Sequence, residues 1–151
     1  MINIAIIDDD KTFCDDFKEQ IKKIDNSYNT DCYYDINTFL ESVSSYNIAI
    51  IDIMLGKDNG IDIASAITEK YPNIKIIFIS VEQDFFQDVY SVNHLYFLVK
   101  PISNEQLKQA LSVCCSEINK QTLYTKLGSG TTAINLNNVS YFEGILKKTI
   151  V

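Results

Sequence analysis

The sequence predicts an α/β fold: a five-stranded parallel, doubly wound sheet over residues 1–119, followed by a short C-terminal β segment. Three observations carry that prediction. The runs Ile4-Ala5-Ile6-Ile7, Ile48-Ala49-Ile50-Ile51 and Ile76-Ile77-Phe78-Ile79 are branched and apolar without polar alternation, as strands covered on both faces are. Amphipathic stretches with helical spacing separate them. Polar groups follow the runs directly, namely Asp8-Asp9-Asp10, Asp52 and Ser80. In open parallel sheets that edge is where ligand sites gather.

The expected strands are Asn3–Ile7, Asp31–Tyr34, Ile48–Ile53, Lys75–Ser80 and Leu95–Val99. Phe13, Phe17, Ile21 and Ile24 form the apolar stripe of a first helix, and Phe39, Leu40 and Val43 mark a shorter second one. Ile61, Ala64, Ala66 and Ile67 follow Gly60 in a third, which Tyr71-Pro72 closes. A fourth helix is expected around Gln83–Val92. Ser103-Asn104-Glu105-Gln106 is a capping box that opens a fifth, with Leu107, Leu111 and Cys114 turned inward. Beyond about Asn119 the helical stripe disappears. Leu123–Leu127, Thr132–Leu136, Val139–Phe142 and Ile145–Val151 read as short strands, with turn signals at Gly128-Ser129-Gly130, Asn137-Asn138 and Gly144.

Charge narrows the function. The net charge is −7, and the 13 basic residues include no Arg, so bidentate guanidinium contacts to phosphate or guanine are excluded. The imbalance sits early, with 17 acidic and 8 basic residues before position 104 against 3 and 5 after it. Cys14, Cys32, Cys114 and Cys115 show no metal-ligand spacing and read as thiols of a reducing compartment. No apolar stretch approaches membrane-spanning length, so a cytoplasmic protein is expected. His94, the one histidine, reads as a surface loop residue.

If the five strands run parallel, Asp8, Asp9, Asp10, Asp52, Ser80 and Lys100 converge on one edge. Carboxylates in that number suit a hard cation. One carboxylate is then free to attack phosphorus, while Lys and a hydroxyl neutralise phosphoryl oxygens. A helix cap needs one carboxylate rather than three, and Asp10 is assigned that task. No G-x-x-x-x-G-K-[ST] occurs, so the phosphoryl donor is another protein or a small phosphate.

These residues resemble the receiver domain of two-component response regulators, a flavodoxin-like fold. The marks are Asp8-Asp9 after the first strand, Asp52 in Ile50-Ile51-Asp52-Ile53-Met54-Leu55, Gly60 eight residues later, Ser80, and Phe97-Leu98-Val99-Lys100-Pro101. The resemblance implies that Asp52 is the phosphoacceptor and that Mg²⁺ is held by Asp8, Asp9, Asp52 and the Met54 backbone carbonyl. It further implies that Ser80 and Lys100 contact the phosphoryl group and that Ser80 and Phe97 form the switch. The Lys100-Pro101 bond would be cis. Gly56 stands where many receivers have Pro, which predicts a more mobile loop. The implied partner is a sensor histidine kinase, and the implied output is dimerisation of the phosphorylated form.

The tail Ile134-x-Leu136-x-Asn138-Val139-x-Tyr141-Phe142-Glu143 resembles the start of a LytTR-type DNA-binding domain. Residues 120–151 are therefore expected to be a linker and an incomplete part of such a domain. DNA binding and transcription control are expected of a full-length parent and not of this chain, which is not expected to be an enzyme. Two alternatives remain open: a haloacid-dehalogenase-like phosphatase with Asp8 as nucleophile, suggested by Asp8-x-Asp10-x-Thr12, and a receiver-only phosphorelay shuttle.

Overall fold

The most buried strands occupy the middle of the sheet. The computed structural model of the chain describes residues 1–82, 85, 88–120, 122–127 and 130–136. In chain order the elements are β1 (Asn3–Ile7), α1 (Lys11–Ile24), β2 (Asn29–Tyr33), α2 (Ile36–Ser42) and β3 (Ile48–Asp52). Next come β4 (Met54–Leu55), β5 (Asp58–Asn59), α3 (Gly60–Lys70), β6 (Lys75–Ser80), β7 (Tyr96–Val99) and α4 (Asn104–Lys120). The main sheet has the order β2-β1-β3-β6-β7, and every pair in it is parallel. β3 is buried throughout, β1 and β6 are buried at all but their first residues, and the less buried β2 and β7 take the edges. Parallel strands covered on both sides require that distribution.

Successive side chains alternate between two cores. Ile4, Ile6, Ile48, Ile50, Ile77, Ile79 and Leu98 pack with the apolar stripes of α1 and α4. Ala5, Ile7, Ala49, Ile51, Ile76 and Phe78 pack with Phe39 of α2 and with Ile61, Ala64 and Ile67 of α3. Ala66, expected in the α3 stripe, is exposed. Asp10 caps α1 by accepting from the backbone N–H of Thr12 and Phe13, Asp35 caps α2 and Asn59 caps α3. Ser103 and Gln106 exchange both bonds of the capping box, at 3.0 and 3.2 Å.

Two features depart from the sequence reading. Of the helix expected around Gln83–Val92, residues 83, 84, 86 and 87 lie outside the described residues, and the described part holds a one-turn 3₁₀ helix, Asp88–Ser91. Asp, Ser and β-branched Val are weak helix formers, and Val89 and Val92 are buried in the α2/α3 core. The second departure is an antiparallel hairpin of β4 and β5 directly after Asp52. Gly56 stands in it at φ 61, which suits the first central position of a type II′ turn. Proline, fixed near φ −65°, has no place at that position.

The chain divides into two compact units, Met1–Ile118 and Asn119–Val151. The second contains an antiparallel pair, β8 (Thr122–Leu127) and β9 (Gly130–Asn135). The strands expected at Val139–Phe142 and Ile145–Val151, and the tail motif from Asn138 onward, lie outside the described residues. No helix among the described residues is long and apolar enough to cross a membrane. All four cysteines are free, and burial pushes the Cys114 thiol up to about 12. His94 is half-buried rather than on the surface, with its ring 5.4 Å from that of Phe78.

Candidate phosphoryl-acceptor site

Strand parity decides which end groups meet. Asp8, Asp52 and Lys100 each lie two residues beyond a side chain of the α1/α4 core (Ile6, Ile50 and Leu98), and they come together. The Lys100 ammonium donates to Asp8 Oδ2 and Asp52 Oδ2, each at 2.6 Å. The other oxygens are also engaged. Asp8 Oδ1 accepts from the Asp10 N–H at 2.9 Å, and Asp52 Oδ1 accepts from the Met54 N–H at 3.0 Å. Asp8 is 1% exposed and Asp52 6%. The Lys100 side chain is 15% exposed.

One cation between two buried carboxylates leaves an excess negative charge. Burial raises the Asp8 carboxyl above its ordinary value; the Lys100 and Asp10 hydrogen bonds oppose that, and the Asp52 charge adds to it. Burial by itself would lower Lys100, but the hydrogen bonds and charges of Asp52 and Asp8 outweigh it and hold the ammonium above the ordinary lysine range. A prediction follows for protein in EDTA. Because the folded-state value of Asp8 lies above the unfolded one, ionising Asp8 costs stability as pH rises from about 4 through that raised value. Relative to wild type, Asp8→Asn should therefore gain stability as pH rises, whatever constant penalty its altered hydrogen bonding carries. Urea unfolding of both proteins from pH 4 to 8 measures this, and a stability of Asp8→Asn relative to wild type that falls or stays flat as pH rises would refute it.

Ser80 and Phe97 follow the opposite parity. Phe78 pairs with Phe97, and Ser80 with Val99, on the α2/α3 side. Ser80 is fully buried, and its hydroxyl accepts from the Glu82 N–H at 3.0 Å. Ser80 is thus held beside the Asp–Lys cluster but not in it, while its own carbonyl accepts from the Lys100 N–H at 2.8 Å. Phe97 is half-buried and packed against the α2/α3 core. The Lys100-Pro101 bond is cis.

Asp9 is exposed and lines a cavity of about 180 Å³ with Asp35, Gly56 and Asp58. Among the described residues no three His, Cys, Asp or Glu side chains form a ready metal cluster. The pair Asp8–Asp52, with Asp9 alongside in sequence, still suits Mg²⁺, which binds through one or two carboxylates and keeps several waters for a phosphate to replace. The site also recruits a residue the sequence reading assigned to the core. The Phe13 ring is half-buried, with its centroid 3.9 Å from Lys100 Nζ. Its place as the outermost member of the α1 stripe, beside the sheet edge, was the available signal.

A family model described as the response regulator receiver domain matches residues 4–112. The chain belongs to that family. Receiver domains are phosphoryl-accepting modules that typically use Mg²⁺. Among curated proteins, this receiver is similar to the sensory transduction protein LytT of Bacillus cereus, at 26% identity over 114 residues. The match covers 74% of the present chain and 46% of the relative, so the chain spans about half the length of the curated relatives it matches. Solved structures share the fold. A CheY-like receiver domain protein from Methanospirillum hungatei is 21% identical with TM-score 0.71, covering 80% of this chain and 98% of that one. The response regulator TrrA of Thermotoga maritima, solved in complex with Mg²⁺-BeF, is 22% identical with TM-score 0.67, covering 76% and 99%. The phosphatase alternative is not favoured. It needs Asp10 as acid/base, and Asp10 is committed to capping α1. The shuttle alternative is likewise not favoured.

Proposed function

We propose that Asp52 accepts a phosphoryl group from a sensor histidine kinase and that the receiver then switches conformation and dimerises. The observation that carries this is the Lys100 ammonium, held 2.6 Å from both Asp52 and Asp8 at the carboxyl end of the central strand β3. An Asp52 oxygen attacks phosphorus as the bond from phosphorus to the donor nitrogen breaks. Lys100 is then placed to move from carboxylate to phosphoryl oxygens and offset their charge. Mg²⁺ would be held by Asp8, Asp9, Asp52 and the Met54 backbone carbonyl, where it supplies charge neutralisation.

The switch rests on Ser80 and Phe97, which share the α2/α3 side. The Ser80 hydroxyl releases the Glu82 N–H and turns to a phosphoryl oxygen, and the half-buried Phe97 ring repacks behind it. The added negative charge biases an equilibrium between two conformers. The surface formed by Asp88–Ser91, β7 and α4 changes with it and pairs with a second copy. Residues 1–119 would be the receiver, and 120–151 the linker and opening of a LytTR-type domain. The β8–β9 hairpin and the name of the LytT relatives support that reading. DNA binding and transcription control belong to the full-length parent.

Acetyl phosphate tests the acceptor. Wild type with Mg²⁺ is expected to gain one phosphoryl group by intact mass, whereas Asp52→Asn, or wild type in EDTA, gains none. Labelling of Asp52→Asn at the wild-type rate would sink the assignment.

A further inference from the structure

Lys100 carries three N–H donors, and the two carboxylates account for two of them. The third side of the ammonium meets the Phe13 ring, 3.9 Å away at the centroid, well inside the range in which an aromatic face attracts a cation. The ring is itself held firmly. It stacks on buried Phe17 with centroids 5.0 Å apart and planes at 22°. The Phe13 backbone N–H donates to Asp10 Oδ1 at 3.1 Å, so the cap of α1 also fixes the root of this side chain. Phe13 and Lys100 line one cavity of about 450 Å³ with Phe17, Val81, Pro101 and Ile102. A side chain without a π face at position 13 would leave the third N–H to water in that cavity.

We infer that Phe13 is a positioning residue for phosphoryl transfer, its ring seating the Lys100 ammonium over Asp52 and Asp8. This rests on the reading of Asp52 as acceptor. An uncharged π face suits the task because it holds a cation without competing for phosphate. As Lys100 moves from a carboxylate to a phosphoryl oxygen, the ring keeps Nζ at the reacting centre. A third carboxylate there would repel the incoming phosphoryl group.

Phe13→Leu, which keeps apolar bulk but removes the π face, and Phe13→Tyr, which keeps the face, separate this role from packing. With acetyl phosphate and Mg²⁺, Phe13→Leu is expected to label about three- to tenfold more slowly, and Phe13→Tyr within about twofold of wild type. Proton NMR supplies a readout independent of activity. The Lys100 ε-methylene signal should be shifted upfield by the ring in wild type and Phe13→Tyr, and should return to the ordinary lysine position in Phe13→Leu. Wild-type labelling by Phe13→Leu, equal slowing of both variants, or an unshifted Lys100 signal in wild type would each overturn the inference. Failure of wild type itself to take label would instead overturn the Asp52 reading, with the Lys100 shift still present.

Discussion

Gly60→Ala is expected to destabilise the domain by about 3 kcal/mol or more, the upper range for forcing an atom into a packed interior. A Cβ at Gly60 would press inside contact distance on the Asp52 carbonyl oxygen and lie 3.0 Å from the Asp52 carbonyl carbon and the Ile53 Cα. All three are backbone atoms, so no side chain can swing aside. The backbone there is also tied down: the Gly60 N–H donates to the Ile53 carbonyl at 2.9 Å and the Ile53 N–H to the Ile79 carbonyl at 3.0 Å. Relief would have to come from moving α3 off the sheet, exposing Ile61, Ala64 and Ile67, or from moving Asp52. Urea unfolding gives the stability and acetyl phosphate labelling reports the acceptor. A loss below about 1 kcal/mol with normal labelling would mean that α3 adjusts freely, against the packing described here.

Lys100→Met is expected to cost about 3 kcal/mol near neutral pH in EDTA, as removing one partner of a buried ion cluster does. Methionine fills the space beside Phe13, so the effect isolates charge from volume. Asp8 and Asp52 would face each other with no cation between them, and burial already holds the Asp8 carboxyl above its ordinary value. The loss should shrink as pH falls, because protonating one carboxylate removes the repulsion. It should also shrink when Mg²⁺ is added, because a divalent cation takes the lysine's place. Phosphoryl labelling should fall sharply even where the variant is fully folded. A variant as stable as wild type across pH 4 to 8 would show that the cluster is solvent-screened.

Much of this was legible in the chain because the determinants are local. Ile4–Ile7, Ile48–Ile51 and Ile76–Ile79 can satisfy their surroundings only as strands buried on both faces, which implies helices on both sides. The division of the aspartate triplet follows equally local rules, with Asp10 in the cap position and Asp8 at the strand end. The Ser103/Gln106 capping box is a four-residue pattern and was found where expected. Over the described residues 88–92, burial rather than local pattern sets the structure. Val89, in the 3₁₀ turn, and Val92, just after it, both reach the α2/α3 core, a contact that no short stretch of sequence specifies.

Residue type and spacing determined the strands, the helix caps and the set of groups that reach the sheet edge. Which of those groups touch was decided by tertiary structure. The registers Asp52↔Ile79 and Ser80↔Val99 are properties of strands brought together across long stretches of chain, and a shift of one residue reverses the face of every side chain. They place Asp8, Asp52 and Lys100 on the α1/α4 side, where α1 supplies the Phe13 ring, and turn Ser80 and Phe97 to the other. No short stretch of sequence carries that information, because each strand's parity acquires meaning only against its neighbour's.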